Sequence, residues 1–140
     1  MKESDNNRKV YSSLHLTLYR NDEAKALIAV VNGFIPFEEQ KINHIHILKE
    51  IREHGLRGFI SDSTEAGPVS PEMVTWITEV QFPQLFDAGI RTFVNIVARN
   101  TITRFGMEKI LNVIDSKAQL FDAGDIASAL EILKGLEENS

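Results

Sequence analysis

Asp62, Ser63 and Thr64 stand in the stretch "GFISDSTEAGPVSP", between an apolar run and the opening of a helix. An acid beside two hydroxyls at that place admits two chemistries. One is a phosphoacceptor or anion site, because a helix N-terminus offers free N–H groups and the positive end of its dipole. The other is capping, in which short polar side chains satisfy loose backbone groups in a turn. Glu65 and Glu72 would repel a phosphate. The expectation is therefore that Asp62, Ser63 and Thr64 cap a loop at the C-terminal edge of the sheet, with Ser70 capping the helix that follows.

His44 and His46 have the look of a metal pair, but residues two apart on a helix point to different faces. Helical ligand pairs need a spacing of three or four. His15 and His54 show no partner in sequence, so no metal is expected. There is no Gly-x-Ser-x-Gly elbow, phosphate loop or dinucleotide glycine pattern, and "NGFI" has a single glycine. Asp62 is the best single acid and lacks a visible basic partner. The expectation is a chain that is not an enzyme and takes no cofactor. Trp76, with Phe34, Phe37, Met73 and Phe82, is the candidate lining of an apolar pocket, because these residues fall near the edge at which open α/β sheets bind ligands. Trp76 itself is expected to be buried.

The remaining bounds come from composition. The chain has 140 residues, 43% hydrophobic and 25% charged, which suits one self-sufficient globular domain. Lysine plus arginine number 15 against 20 acids, a formal charge of -5 without a basic stripe, so nucleic acid is not an expected partner. The absence of cysteine excludes disulfides, thiolate metal sites and cysteine nucleophiles. No apolar run approaches the roughly 18 residues of a membrane span, and "MKESDNNRKV" lacks the apolar core of a signal peptide. A soluble cytoplasmic location fits these features.

The elements that must position these residues follow from periodicity. Residues 1–9 read as a flexible polar arm, and residues 10–140 as one domain. "YSSLHLTLYR" alternates, with Leu14, Leu16 and Leu18 on one face, and "ALIAVVNGF" is nearly continuous apolar sequence; together they predict a hairpin. From Pro36 to Gly55 the period changes. Ile42, Ile45, Leu48 and Ile51 predict the core side of an amphipathic helix, with Glu39, Asn43, His46, Glu50 and Glu53 on the far side. A strand at "LRGFISD" leads to a helix opened by Ser70-Pro71-Glu72, which should kink at Pro83 and end at Gly89. "IRTFVNIVA" is a strand, "NTITRFGMEKILNVIDSK" a helix, "AQLFD" a short strand and "DIASALEILKGLEENS" a final helix. The order ββαβαβαβα predicts an α/β fold with a mixed, mostly parallel sheet.

That order, with "LIAVVNGFIPFEE", "GFISD", "SPEMVTWITEVQFPQLFDAGIRTFVNIVA" and "LFDAGDIASALEIL", resembles the STAS superfamily, the SpoIIAA-like domains of anti-sigma factor antagonists. It is closer still to small bacterial STAS/SEC14-like proteins. These stretches cover nearly everything after residue 12. The resemblance implies a βα superhelix and a non-catalytic regulatory or protein-interaction module; the alternative it suggests is a carrier of a small apolar, lipid-like ligand near Trp76. Antagonists of this kind carry Asp-Ser-Ser-Gly or Asp-Ser-Thr-Gly at the helix N-terminus, and the first hydroxyl takes a phosphate. Here Glu65 follows Thr64, Gly67 comes two residues late, and Ser70 matches that position as well as Ser63 does. The resemblance also implies helices gathered on one side of the sheet, and an uncovered apolar face would favour a homodimer.

Overall fold

A computed structural model describes residues 6–96, 112 and 118–138. It is an α/β fold built on a six-stranded sheet, with strands β1 (Asn7–Ser12), β2 (Leu16–Asn21), β3 (Ala26–Gly33), β4 (Gly58–Ala66), β5 (Thr92–Ile96) and β6 (Gln119–Ala123). The spatial order is β1-β2-β3-β4-β5-β6. β1 with β2 and β2 with β3 are antiparallel, and the remaining neighbours are parallel. The helix expected over residues 100–117 lies outside the described residues except at Asn112, which is helical.

The N-terminal hairpin differs from the expectation. "YSSLHLTLYR" is two strands rather than one, folded back at Ser13, whose N–H bonds to the Leu16 carbonyl at 2.8 Å. β1 also takes in Asn7, Arg8 and Lys9 from the stretch read as a loose arm. Leu16 and Leu18 are core residues as their alternation requires, whereas Leu14 sits at the turn, 84% exposed. The reason is local: two serines precede Leu14, and short hydroxyl side chains favour a turn over a continued strand.

Helix α1 (Phe37–His54) joins β3 to β4 and stops at Gly55, whose φ of 59° lets it form a left-handed cap. Its phase is rotated from the expectation. The buried positions are Asn43, His44, Ile47 and Ile51, while Ile42 and Ile45 are 55% and 65% exposed. The polar stripe explains the rotation. Glu39 accepts from Ser13 Oγ at 2.9 Å and from the His15 N–H at 3.0 Å, and Asn43 Oδ1 accepts from Tyr11 Oη at 2.9 Å. His46 stacks on Tyr11 with ring centroids 4.1 Å apart, and Glu50 takes the buried Arg20 guanidinium at 3.0 Å. The side read as solvent-facing is thus the contact with the N-terminal hairpin. His15 and His54 also have partners, Glu39 and Arg20 respectively.

Between β4 and β5 the chain forms α2 (Pro71–Trp76), a π-helical turn (Ile77–Gln81) and α3 (Phe82–Ala88) in one continuous run. Pro83 has no N–H to donate, so some disturbance of the ladder is required. It is taken up just before the proline, where the Phe82 N–H reaches five residues back to the Ile77 carbonyl. α1 and α3 cover one sheet face, over a core that includes Leu18, Leu27, Ile51, Phe59, Leu85 and Phe93. The last helix, α4 (Ile126–Glu138), covers the other face through Ala129, Leu130 and Leu133 against Ile28, Ile60 and Val94. The helices therefore lie on both faces rather than gathering on one side, with α4 on the second. Among the described residues no helix is long and apolar enough to cross a membrane.

Candidate functional site

A cavity of about 120 Å³ opens between the sheet and the α1–α3 layer, at the C-terminal ends of the parallel strands β3, β4 and β5. Strand alternation sends every second side chain into it. From β4 these are Phe59, Ser61 and Ser63, and from β5 Phe93 and Asn95. Helical side chains Ile47, Met73, Ile77 and Phe82 close it from above. The site lies where open α/β sheets generally take ligands, beyond the carboxyl ends of the strands.

β4 is the element that shapes it. The strand runs through Ala66, so Asp62, Ser63 and Thr64 belong to a strand rather than to a loop, which corrects the expectation. Val30 pairs with Asp62 but Asn32 pairs with Glu65, so β4 holds one extra residue against β3. Such a bulge reverses the alternation. Ser63 before it and Ala66 after it accordingly both line the cavity. Asp62 lies in register with Val30 and Ile96, which pack on the opposite face. Its carboxylate accepts from the Thr64 N–H at 3.1 Å and from Thr64 Oγ1 at 2.7 Å. Asp62 and Thr64 thus cap the irregular backbone as capping chemistry requires, while Ser63 points the other way. The three residues do not form one site.

Ser70 accepts from the Met73 N–H at 3.1 Å, the expected cap of α2. Gly67, between β4 and α2, is needed for close approach. Its N–H bonds to the Gly33 carbonyl at 2.8 Å, and a Cβ there would meet the Phe34 nitrogen at 2.8 Å. This contact draws the β3–α1 and β4–α2 loops together at the cavity mouth, where Phe34, Pro68 and Val69 stand.

Of the pocket residues expected from sequence, Phe34, Met73 and Phe82 line the cavity and Phe37 and Trp76 do not. Trp76 is half-buried rather than buried. It meets Phe37 edge-on at 5.7 Å and His44 at 5.3 Å between ring centroids, outside the cavity. A surface-leaning ring on the short α2 can satisfy its apolar area against α1 without entering the core. Burial pushes the His44 pKa down, with a smaller contribution from Arg52, although the hydrogen bond to Gln84 acts the other way.

Of the polar groups of the cavity the sequence singles out Ser63 alone, and that for capping or phosphorylation rather than for a cavity wall. Ser61 Oγ and Ser63 Oγ are 3.3 Å apart. Asn95, 6% exposed, pairs with Ser61 across the sheet, and its Oδ1 is buried without a hydrogen-bond partner among the described residues. Gln40 Nε2 donates to Gln81 Oε1 at 3.0 Å where both reach the cavity from the helix layer. The readable signal was parity: Ser61 and Asn95 occupy core-facing positions two residues after Phe59 and Phe93, where an apolar residue is the rule. Among the described residues no ionisable side chain lines the cavity.

Elsewhere, Glu50, Glu53 and His54 come close enough to share a cation. The Arg20 guanidinium already engages Glu50 at 3.0 Å and His54 Nε2 at 2.9 Å, so the cluster is an ion-pair network rather than an open ligand set. Neither a protein-family model nor a curated protein matches the chain.

Proposed function

We propose that this chain is a non-catalytic module of the STAS-like regulatory kind whose input is a small, uncharged, mainly apolar molecule held in the cavity at the strand ends. The observation that carries the reading is the cavity itself, about 120 Å³ and walled by apolar side chains. A cavity of that order, lined by leucine, isoleucine and phenylalanine, is known to accept a benzene-sized guest. Among the described residues no ionisable side chain lines the cavity, which supports an uncharged ligand. The sheet order, with an antiparallel hairpin followed by parallel strands, supports the STAS-like assignment. A guest lodged wholly within a space of this size is compact.

A second reading is a protein-contact module, favoured by the exposed Ile42 and Ile45 on α1. The test of the first is thermal unfolding with saturating benzene or toluene. A ligand that binds only the folded state raises Tm by mass action. The rise should disappear in Ala66→Leu, which fills the cavity mouth. No rise with either ligand in the natural chain would remove the ligand-binding reading and leave the contact module.

A further inference from the structure

We infer that the guest carries a hydroxyl, and that this hydroxyl is read by Asn95 with Ser61 and Ser63. The inference rests on the ligand-binding reading and sharpens it to a chemical class: a compact neutral alcohol or phenol. Asn95 Oδ1 is a buried acceptor with no partner among the described residues. Leaving such a group unpaired is expensive, whereas a donor brought to it recovers the cost. The cavity is where that donor would come from, since Asn95 is one of its lining residues.

The adjacent serines decide which donor. Ser61 and Ser63 lie 3.3 Å apart, so one hydroxyl donates to the other and the second proton remains to be placed. Ser61 is the in-register neighbour of Asn95, one strand spacing of about 4.8 Å away. A guest hydroxyl lodged between them can donate to Asn95 Oδ1 and accept the spare serine proton. A hydrocarbon satisfies neither group. A carboxylate would set its lone pairs against Asn95 Oδ1 with no cation among the described lining residues to compensate, and an ammonium would find no anion among them. Only a neutral group that both donates and accepts fits both walls.

The test is a calorimetric or chemical-shift titration of the natural chain with phenol, anisole, benzene and benzoate, repeated on Asn95→Leu. In a cavity without a partner for the hydroxyl, phenol binds more weakly than benzene because its O–H must be dehydrated. Here phenol should bind about tenfold more tightly than benzene or anisole, the scale of one buried hydrogen bond. Benzoate should not bind. In Asn95→Leu the order should reverse, with benzene retained. Equal or stronger binding of benzene by the natural chain would overturn the hydroxyl inference while leaving an apolar site, and a bound water satisfying Asn95 would give that outcome. Binding of none of the four would overturn the underlying reading and the inference with it. The ligand series on the natural chain decides the matter even if Asn95→Leu does not fold.

Discussion

Ser63 and Ser70 divide two roles that the sequence presents side by side. Ser70 spends its hydroxyl on the Met73 N–H, so Ser70→Ala should lose about 1 kcal/mol in urea unfolding, the usual worth of such a cap. Ser63 is 2% exposed and faces the cavity, out of reach of a kinase. Incubation with a serine kinase of a sigma-factor module should leave the intact mass unchanged; stoichiometric phosphate on Ser63 would require β4 to open. The cap was legible because Ser-Pro-Glu acts through neighbouring backbone alone. The place of Ser63 was not, because the length of β4 and its bulge depend on pairing with β3, far away in sequence. Asn95 was missed for a related reason. A single polar residue in an apolar strand has meaning only once the facing helices leave space above it.

At the scale of elements, α1 shows how a correct helix can be read with the wrong face. Its span and its Gly55 cap follow from the sequence, since both are local. Its phase is set by polar partners on β1 and β2, which no periodicity within the helix encodes. The consequence is measurable. Ile45→Lys should change stability by no more than about 0.5 kcal/mol, as exposed substitutions generally do. Ile47→Ala, three carbon atoms removed from a 2% exposed position, should cost about 2 to 5 kcal/mol. Denaturant midpoints for the two variants check the assignment, and a large loss with Ile45→Lys would restore the other face. The π-helical turn was half legible. Pro83 announced a disturbance, but only the packed structure moves it ahead of the proline and brings Ile77 and Gln81 to the cavity.

For the molecule as a whole, stability should fall on mild acidification. The folded-state pKa of His44 is depressed, chiefly by burial, below its ordinary value of 6.5. The unfolded chain therefore binds the proton more readily, so the contribution is complete above about pH 6.5 and is lost as pH falls from there through the folded-state value. One proton limits the slope to about 1.4 kcal/mol per pH unit. Glu39 acts in the same sense further into acid: burial pushes its carboxyl up, but hydrogen bonds from His15 and Ser13 outweigh that and hold it below 4.5. Urea midpoints at pH 7.5 and 5.5 should differ in the natural chain and converge in His44→Gln; an unchanged difference would remove His44 as the cause. The order of the sheet carries a different consequence. Each strand lies beside the one that precedes it in the chain, from β1 to β6. During synthesis, which delivers the N-terminus first, every strand after β1 emerges to find its neighbour already available. No early strand is left waiting with a bare edge for a distant later partner. The growing sheet has one advancing edge, and α4, made after β6, closes the face behind it.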